Sequence, residues 1–280
     1  MRELPIGFID SGLGGLTVVK QSLKQLPNES ILYLGDNARC PYGPRPLNEV
    51  RRYIWQLTYF LREKGIKMLV IACNTGTAAA LDELKKILPI PVVGVIASGS
   101  RAAIKETRNN YIGVIGTQGT IDSQLYSKTI QQKASHVTVE SHACPTFVSM
   151  VEEGIDDATY RKRHVAQELK PLLEKNIDTL VLGCTHYPLL QQEIQEAAGP
   201  KVRLIDSGVE TINEVSMLLD YFNLSRSAEE NRFSPAKQVY YTTGDPQVFK
   251  TIASTWLEED QLHVYPCQIK GEVIYEATDS

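Results

Sequence analysis

Cys73 and Cys184 are the side chains of this 280-residue sequence whose settings most favour chemistry. Each closes a short apolar run, Met68-Leu69-Val70-Ile71-Ala72 before the first and Thr179-Leu180-Val181-Leu182-Gly183 before the second. Each is followed by hydrogen-bonding residues, Asn74-Thr75 and Thr185-His186. A free thiol has a pKa of about 8.5, so nearby donors or a helix N-terminus can turn it into a base or a nucleophile. One such thiol suggests covalent catalysis. Two in matching settings suggest that one takes a proton from one face of a carbon while the other delivers a proton to the opposite face, as inversion of that carbon requires.

Other polar residues could join them. His186, beside Cys184, is a candidate acid/base or a group that tunes the thiol. Asp10 ends an apolar strand and reads either as a helix cap or as part of a site. The turn Ser11-Gly12-Leu13-Gly14-Gly15 is a candidate anion cradle, better suited to a carboxylate than to a nucleotide because it lacks the phosphate-loop lysine and the dinucleotide spacing. Glu152 and Glu153 read by default as surface charges, and Cys40, Cys144 and Cys267 as small buried hydrophobes. Zinc at Cys184 and His186 is disfavoured, since C-x-H is not a usual ligand spacing, so no metal is expected. A Cys73–Cys184 disulfide would disable both thiols.

The elements that must position these groups alternate. Strands are predicted at Leu4–Asp10, Ile31–Gly35, around Cys73, at Val92–Ile96, Ile112–Thr117 and before Cys184, with helices between them. The helix after Pro46 is marked by Leu47, Val50, Ile54, Leu57 and Leu61 on one face. Such alternation builds parallel βαβ units, whose ligand crevices lie at the C-terminal ends of the strands. The pattern also starts over: Ile112–Thr117 echoes Ile6–Ser11, and Val202–Gly208 echoes Val92–Gly99. The expected fold is α/β with two pseudo-symmetric lobes, each a parallel-type sheet flanked by helices, and a site in the cleft between them. The first lobe is expected to comprise residues 1–97 plus 209–280 and the second 98–208. Residues 223–236 read as a linker, and a helix is predicted over Pro246–Leu257.

Composition bounds the function. Apolar residues make up 42% and charged residues 22%, with a net charge of -4 and no basic stripe, which argues against nucleic acid. No apolar run approaches the roughly 20 residues that span a bilayer, and no signal peptide is read at the start. Five cysteines without a C-x-x-C pair fit reduced thiols in a cytoplasm.

Four motifs together resemble glutamate racemase, of the aspartate/glutamate racemase family: residues 10–17 (DSGLGGLT), Gly35-Asp36 with Pro41-Tyr42-Gly43, Ala72-Cys73-Asn74-Thr75, and residues 183–190 (GCTHYPLL). The resemblance covers essentially the whole chain, including the tail around Thr243-Gly244-Asp245-Pro246. Gly76, where the family more often carries alanine, is a small departure. The resemblance implies a cofactor-independent racemase that interconverts L- and D-glutamate by a two-base mechanism, supplying D-glutamate for peptidoglycan. It implies that Cys73 deprotonates D-glutamate with help from Asp10, and Cys184 L-glutamate with help from His186. Asp36 and Glu152 would be further acidic members of the site. Substrate contacts would come from Asp10, Ser11, Pro41, Tyr42, Gly43, Asn74, Thr75, Thr117, Thr185 and His186. A cytoplasmic homodimer is implied, and no activation by a cell-wall precursor is expected. The rival readings are a racemase for aspartate or hydantoins and a two-lobed amino-acid-binding protein.

Overall fold

Short apolar runs that are buried on both faces form strands flanked by helices, as parallel sheets require. The computed structural model describes residues 1–277; positions 278–280, the end of the expected first lobe, lie outside the described residues. The first half runs β1 (Ile6–Asp10), α1 (Leu16–Gln25), β2 (Ile31–Gly35), α2 (Leu47–Lys64), β3 (Met68–Ile71), α3 (Asn74–Ile87), β4 (Val92–Gly94) and α4 (Val95–Glu106). The second runs β5 (Tyr111–Gly116), α5 (Gln118–Asp122), α6 (Leu125–Lys133), β6 (Thr138–Ala143), α7 (Thr146–Glu152), α8 (Ala158–Leu173), β7 (Thr179–Gly183), α9 (Gln191–Ala198), β8 (Arg203–Asp206) and α10 (Ser207–Tyr221). The tail adds α11 (Ala228–Phe233), β9 (Gln238–Thr242), α12 (Pro246–Leu257), β10 (His263–Lys270) and β11 (Val273–Glu276).

Two sheets result. One has the order β11-β10-β9-β2-β1-β3-β4 and the other β6-β5-β7-β8. The segments β2-β1-β3-β4 and β6-β5-β7-β8 are both parallel and share one strand order, so β1 corresponds to β5 and β3 to β7. Both cysteines therefore follow equivalent strands, the ones paired beside β1 and β5. The tail extends the first sheet: β9 pairs with β2 in parallel, β10 with β9 in parallel, and β11 closes the edge antiparallel. One apolar cluster spans both halves, running from Phe8, Leu16 and Val70 through Val95 and Ile96 to Val114, Val181 and Val215. The α2 stripe behaves as its spacing predicts, with Val50, Ile54, Leu57 and Leu61 fully buried.

Three local readings change. The β-branched run at 92–96 is a strand only as far as Gly94, because β3 offers β4 partners at Leu69, Val70 and Ile71 alone; Val95 and Ile96 bury themselves on α4 instead. The polar stretch 223–236 is not a plain linker. Ser227 caps α11 through a capping box, its hydroxyl accepting the Glu230 N–H at 3.1 Å while the Glu230 carboxylate accepts the Ser227 N–H at 2.7 Å. Strands β6 and β11 lie at sheet edges and β10 pairs beside one, and their half-exposed pattern carries little of the apolar signal that marks the central strands.

Candidate active site

The chain turns from strand to helix directly at Cys73, which is the N-cap of α3: its sulfur accepts the Gly76 N–H at 3.3 Å. A methyl at Gly76 would lie 2.6 Å from Ile54 Cδ1 of the closely packed α2, so glycine fits here. Cys184 follows β7, and its sulfur lies 3.8 Å from Nδ1 of His186. Both thiols border one small, partly open cavity, together with Ser11, Pro41, Tyr42, Gly43, Asn74, Thr75, Thr117, Thr185 and His186. The two halves meet across it. Thr75 and Thr117 hydroxyls are 2.9 Å apart, and the Tyr126 hydroxyl donates to Asn74 Oδ1 at 2.7 Å. The buried Asn74 Nδ2 has no hydrogen-bond partner among the described residues and is a donor beside the cavity.

The two thiols have unlike surroundings. Burial and the nearby Asp10 carboxylate push the Cys73 thiol up to about 12, against the Gly76 N–H and the Ser11 hydroxyl, which favour the thiolate. Around Cys184 the partner is a base. Burial alone would lower the His186 pKa, but hydrogen bonds and charge from Cys184 and Glu152 outweigh it and raise His186 to about 10. Glu152, at the end of α7, accepts from His186 Nε2 at 3.0 Å, and that interaction outweighs its own burial and lowers its pKa. The default reading of Glu152 as a surface charge is corrected by this contact.

The anion cradle is also corrected. The Ser11–Gly15 turn does hold a carboxylate, but it is the chain's own Asp10. The Gly12 N–H donates to Asp10 Oδ2 at 3.0 Å, and the Gly15 and Ser11 amides also favour its charge, while full burial wins and raises its pKa. Oδ1 of Asp10 has no hydrogen-bond partner among the described residues. Gly14 is required by close approach, since a Cβ there would sit 2.3 Å from Thr185 Oγ1 and 2.5 Å from His186 Nδ1.

Asp36 is brought near the cavity without lining it. It is fully buried, accepts from Arg39 Nε at 2.7 Å, from the Thr243 hydroxyl at 2.8 Å and from the Tyr42 hydroxyl, and so holds the loop that presents Tyr42 and Gly43. Two lining residues escaped the sequence reading, Cys40 and Val148. Cys40 was readable, being adjacent to Pro41-Tyr42-Gly43; its sulfur lies 3.5 Å from Glu152 Oε1, and its burial and that carboxylate keep it a thiol. Val148 lies on α7 with no local mark. A wider recess lined by Pro44, Gln118, Pro145, Ser149 and Glu152 shares Pro41, Gly43, Thr117 and Val148 with the cavity and forms its outer vestibule.

Buried paired thiols, each with its own acidic or basic companion and without a lysine or phosphate loop beside them, suit proton transfer at a small polar molecule. Comparison with known proteins points the same way. A family model described as Asp/Glu/hydantoin racemase matches residues 6–215. A glutamate racemase from Carnobacterium is 56% identical over 264 residues, 94% of this chain and 98% of that relative. The crystal structure of a glutamate racemase from Bacillus anthracis superposes with a TM-score of 0.92 at 44% identity, covering 98% of this chain and all of the other. That of Francisella tularensis glutamate racemase, solved in complex with D-glutamate, gives 0.87 at 34% identity over 96% and 98% of the two chains. On this agreement of site, fold and sequence, the chain belongs to the Asp/Glu/hydantoin racemase family, on its glutamate racemase branch, and is an amino-acid racemase.

Proposed function

We propose that this enzyme interconverts L- and D-glutamate without a cofactor, with Cys73 and Cys184 as the two bases, and supplies D-glutamate for peptidoglycan in the cytoplasm. The observation that carries this reading is that two thiols from equivalent strand ends border one cavity. The unlike companions set a starting state. Cys73, its pKa pushed up to about 12, holds its proton, while His186 lies 3.8 Å from the Cys184 sulfur as its acid/base partner. In that state Cys184 takes the α-proton of L-glutamate and Cys73 delivers its own to the other face, giving D-glutamate; the reverse reaction starts from the opposite thiol. Asp10, buried beside Cys73 with its pKa raised by burial, takes up the Cys73 proton when that thiol becomes the base.

The carbanion that forms must be stabilised by fixed donors in a site closed to water. Asn74 Nδ2, the Thr75, Thr117 and Thr185 hydroxyls and Ser11 are the donors at hand, and Pro41, Tyr42 and Gly43, the last packed against Thr117, complete the wall. Glu152 keeps His186 protonated, and Asp36 keeps Tyr42 in place. The protein is expected to act as a homodimer, which sedimentation velocity would test.

Proton NMR of L-glutamate with the protein in D2O tests the reading. Loss of the α-proton signal with decay of optical rotation is expected, and L-aspartate is expected to stay inert. An intact α-proton on glutamate would overturn the reading, and faster exchange on aspartate would replace the substrate. Cys73→Ala and Cys184→Ala are each expected to abolish racemisation in both directions; full activity in either would remove the two-base scheme.

A further inference from the structure

A second convergence of metal-ligating side chains lies away from the catalytic cavity, between β6 and α8. His142 and Cys144 are two residues apart at the end of β6, and Glu168 faces them from α8; one ligand atom from each lies within 4.8 Å of the other two. Cys144 is fully buried, while His142 and Glu168 are half-buried. Neither His142 nor Glu168 makes a side-chain hydrogen bond or ion pair among the described residues. Burial and the Glu168 carboxylate push the Cys144 thiol up, so the corner gathers groups able to become anionic with no cation among them. The backbone there is pinned: the Cys144 N–H donates to Gly116 O at 2.9 Å, and its carbonyl accepts the Tyr187 hydroxyl at 2.8 Å.

We propose that His142, Cys144 and Glu168 bind one divalent ion of the zinc class, with water as the fourth ligand. A sulfur, a nitrogen and a carboxylate oxygen match zinc and not calcium or magnesium, which take oxygen ligands. Tetrahedral bonds of about 2.0–2.3 Å separate ligand atoms by about 3.3–3.8 Å, so the three atoms close inward by roughly 1 Å through rotation of the half-buried Glu168 and His142 side chains. The metal–sulfur bond forms as the Cys144 proton leaves to solvent, so binding tightens as pH rises. The ion ties an edge strand to α8 two residues before α7, the helix that ends on Glu152. His164, one turn before Glu168, already meets the Thr146 hydroxyl at 2.8 Å and is not counted as a ligand.

Titration of the reduced, chelator-stripped full chain with Co2+ tests this, followed by absorbance. One Co2+ per chain is expected, with a thiolate-to-cobalt charge-transfer band that Zn2+ abolishes. The band should persist in Cys73→Ser and Cys184→Ser and vanish in Cys144→Ser. His142→Ala and Glu168→Gln, checked for retained racemase activity as evidence of folding, should weaken binding by more than the ~10–100-fold typical of losing a supporting contact around a metal. Absence of the band overturns the proposal. So does a band lost in Cys184→Ser, which would put the ion in the catalytic cavity, or binding that His142→Ala and Glu168→Gln leave unchanged.

Discussion

Cys73 and Cys184 end equivalent strands but keep different company, a carboxylate beside one and an imidazole beside the other. Reactivity should reveal the difference. With less than one equivalent of iodoacetamide at neutral pH, peptide mapping is expected to find Cys184 alkylated before Cys73, although both are 6% exposed. First labelling at Cys73 would reverse the assignment of the starting state. The His186–Glu152 contact also predicts a pH effect on stability. His186 is raised from 6.5 to about 10, so its contribution is complete below the lower value and is lost as pH climbs through the upper one. The melting temperature is expected to fall across that window, less steeply in Glu152→Gln. An equal slope in the variant would remove Glu152 as the group that holds the proton. At this scale the sequence showed much of the site, because the cysteines, Thr117 and His186 mark themselves by following strands. Cys40 is marked only by its place beside Pro41-Tyr42-Gly43, and Val148 not at all, since it enters from a helix whose path depends on tertiary packing.

Among the elements, the turn between β1 and α1 carries the tightest constraint. It wraps Asp10 on one side and touches Thr185 and His186 on the other, while the Thr17 hydroxyl donates to Thr185 O at 2.9 Å. A misplacement of about 1 Å in an active site can cost on the order of 100-fold in rate. Gly14→Ala is therefore expected to lower kcat by about that factor while the protein remains folded, as circular dichroism and steady-state assays would show; wild-type kcat would mean the contact yields freely. This turn was legible as a glycine-rich carboxylate cradle, but its occupant was not. Identifying Asp10 as that occupant needs the strand end folded back under its own turn, a relation between backbone directions that composition does not carry. The outer strands β6, β10 and β11 were missed for a related reason: their half-exposed residues carry little apolar signal.

For the whole molecule, the return of the tail rests partly on one buried ion cluster. Lys67, just before β3, binds Glu29 and also the carbonyls of Arg2 at 2.8 Å and Leu224 at 2.9 Å, while Glu29 accepts the Arg226 N–H at 2.8 Å. Removing one partner of a buried pair leaves an uncompensated charge and costs about 3–5 kcal/mol. Glu29→Gln is expected to lose stability of that size in urea denaturation, and a loss under 1 kcal/mol would show that the cluster does not anchor the tail. The duplication of the four-strand core has a different consequence, one of handedness. A rotation that exchanges the lobes exchanges the two thiols, yet no rotation turns a molecule into its mirror image. The repeated strand ends can therefore serve both enantiomers only at the reacting carbon. Grip on the rest of the substrate must come from parts that break the repeat: the Tyr42 loop braced by Asp36 and Thr243 on one side, and the α7 helix bearing Val148 and Glu152 on the other. Substrate preference should accordingly change through exchanges in those unmatched segments, while chirality at the reacting carbon stays the business of the matched ones.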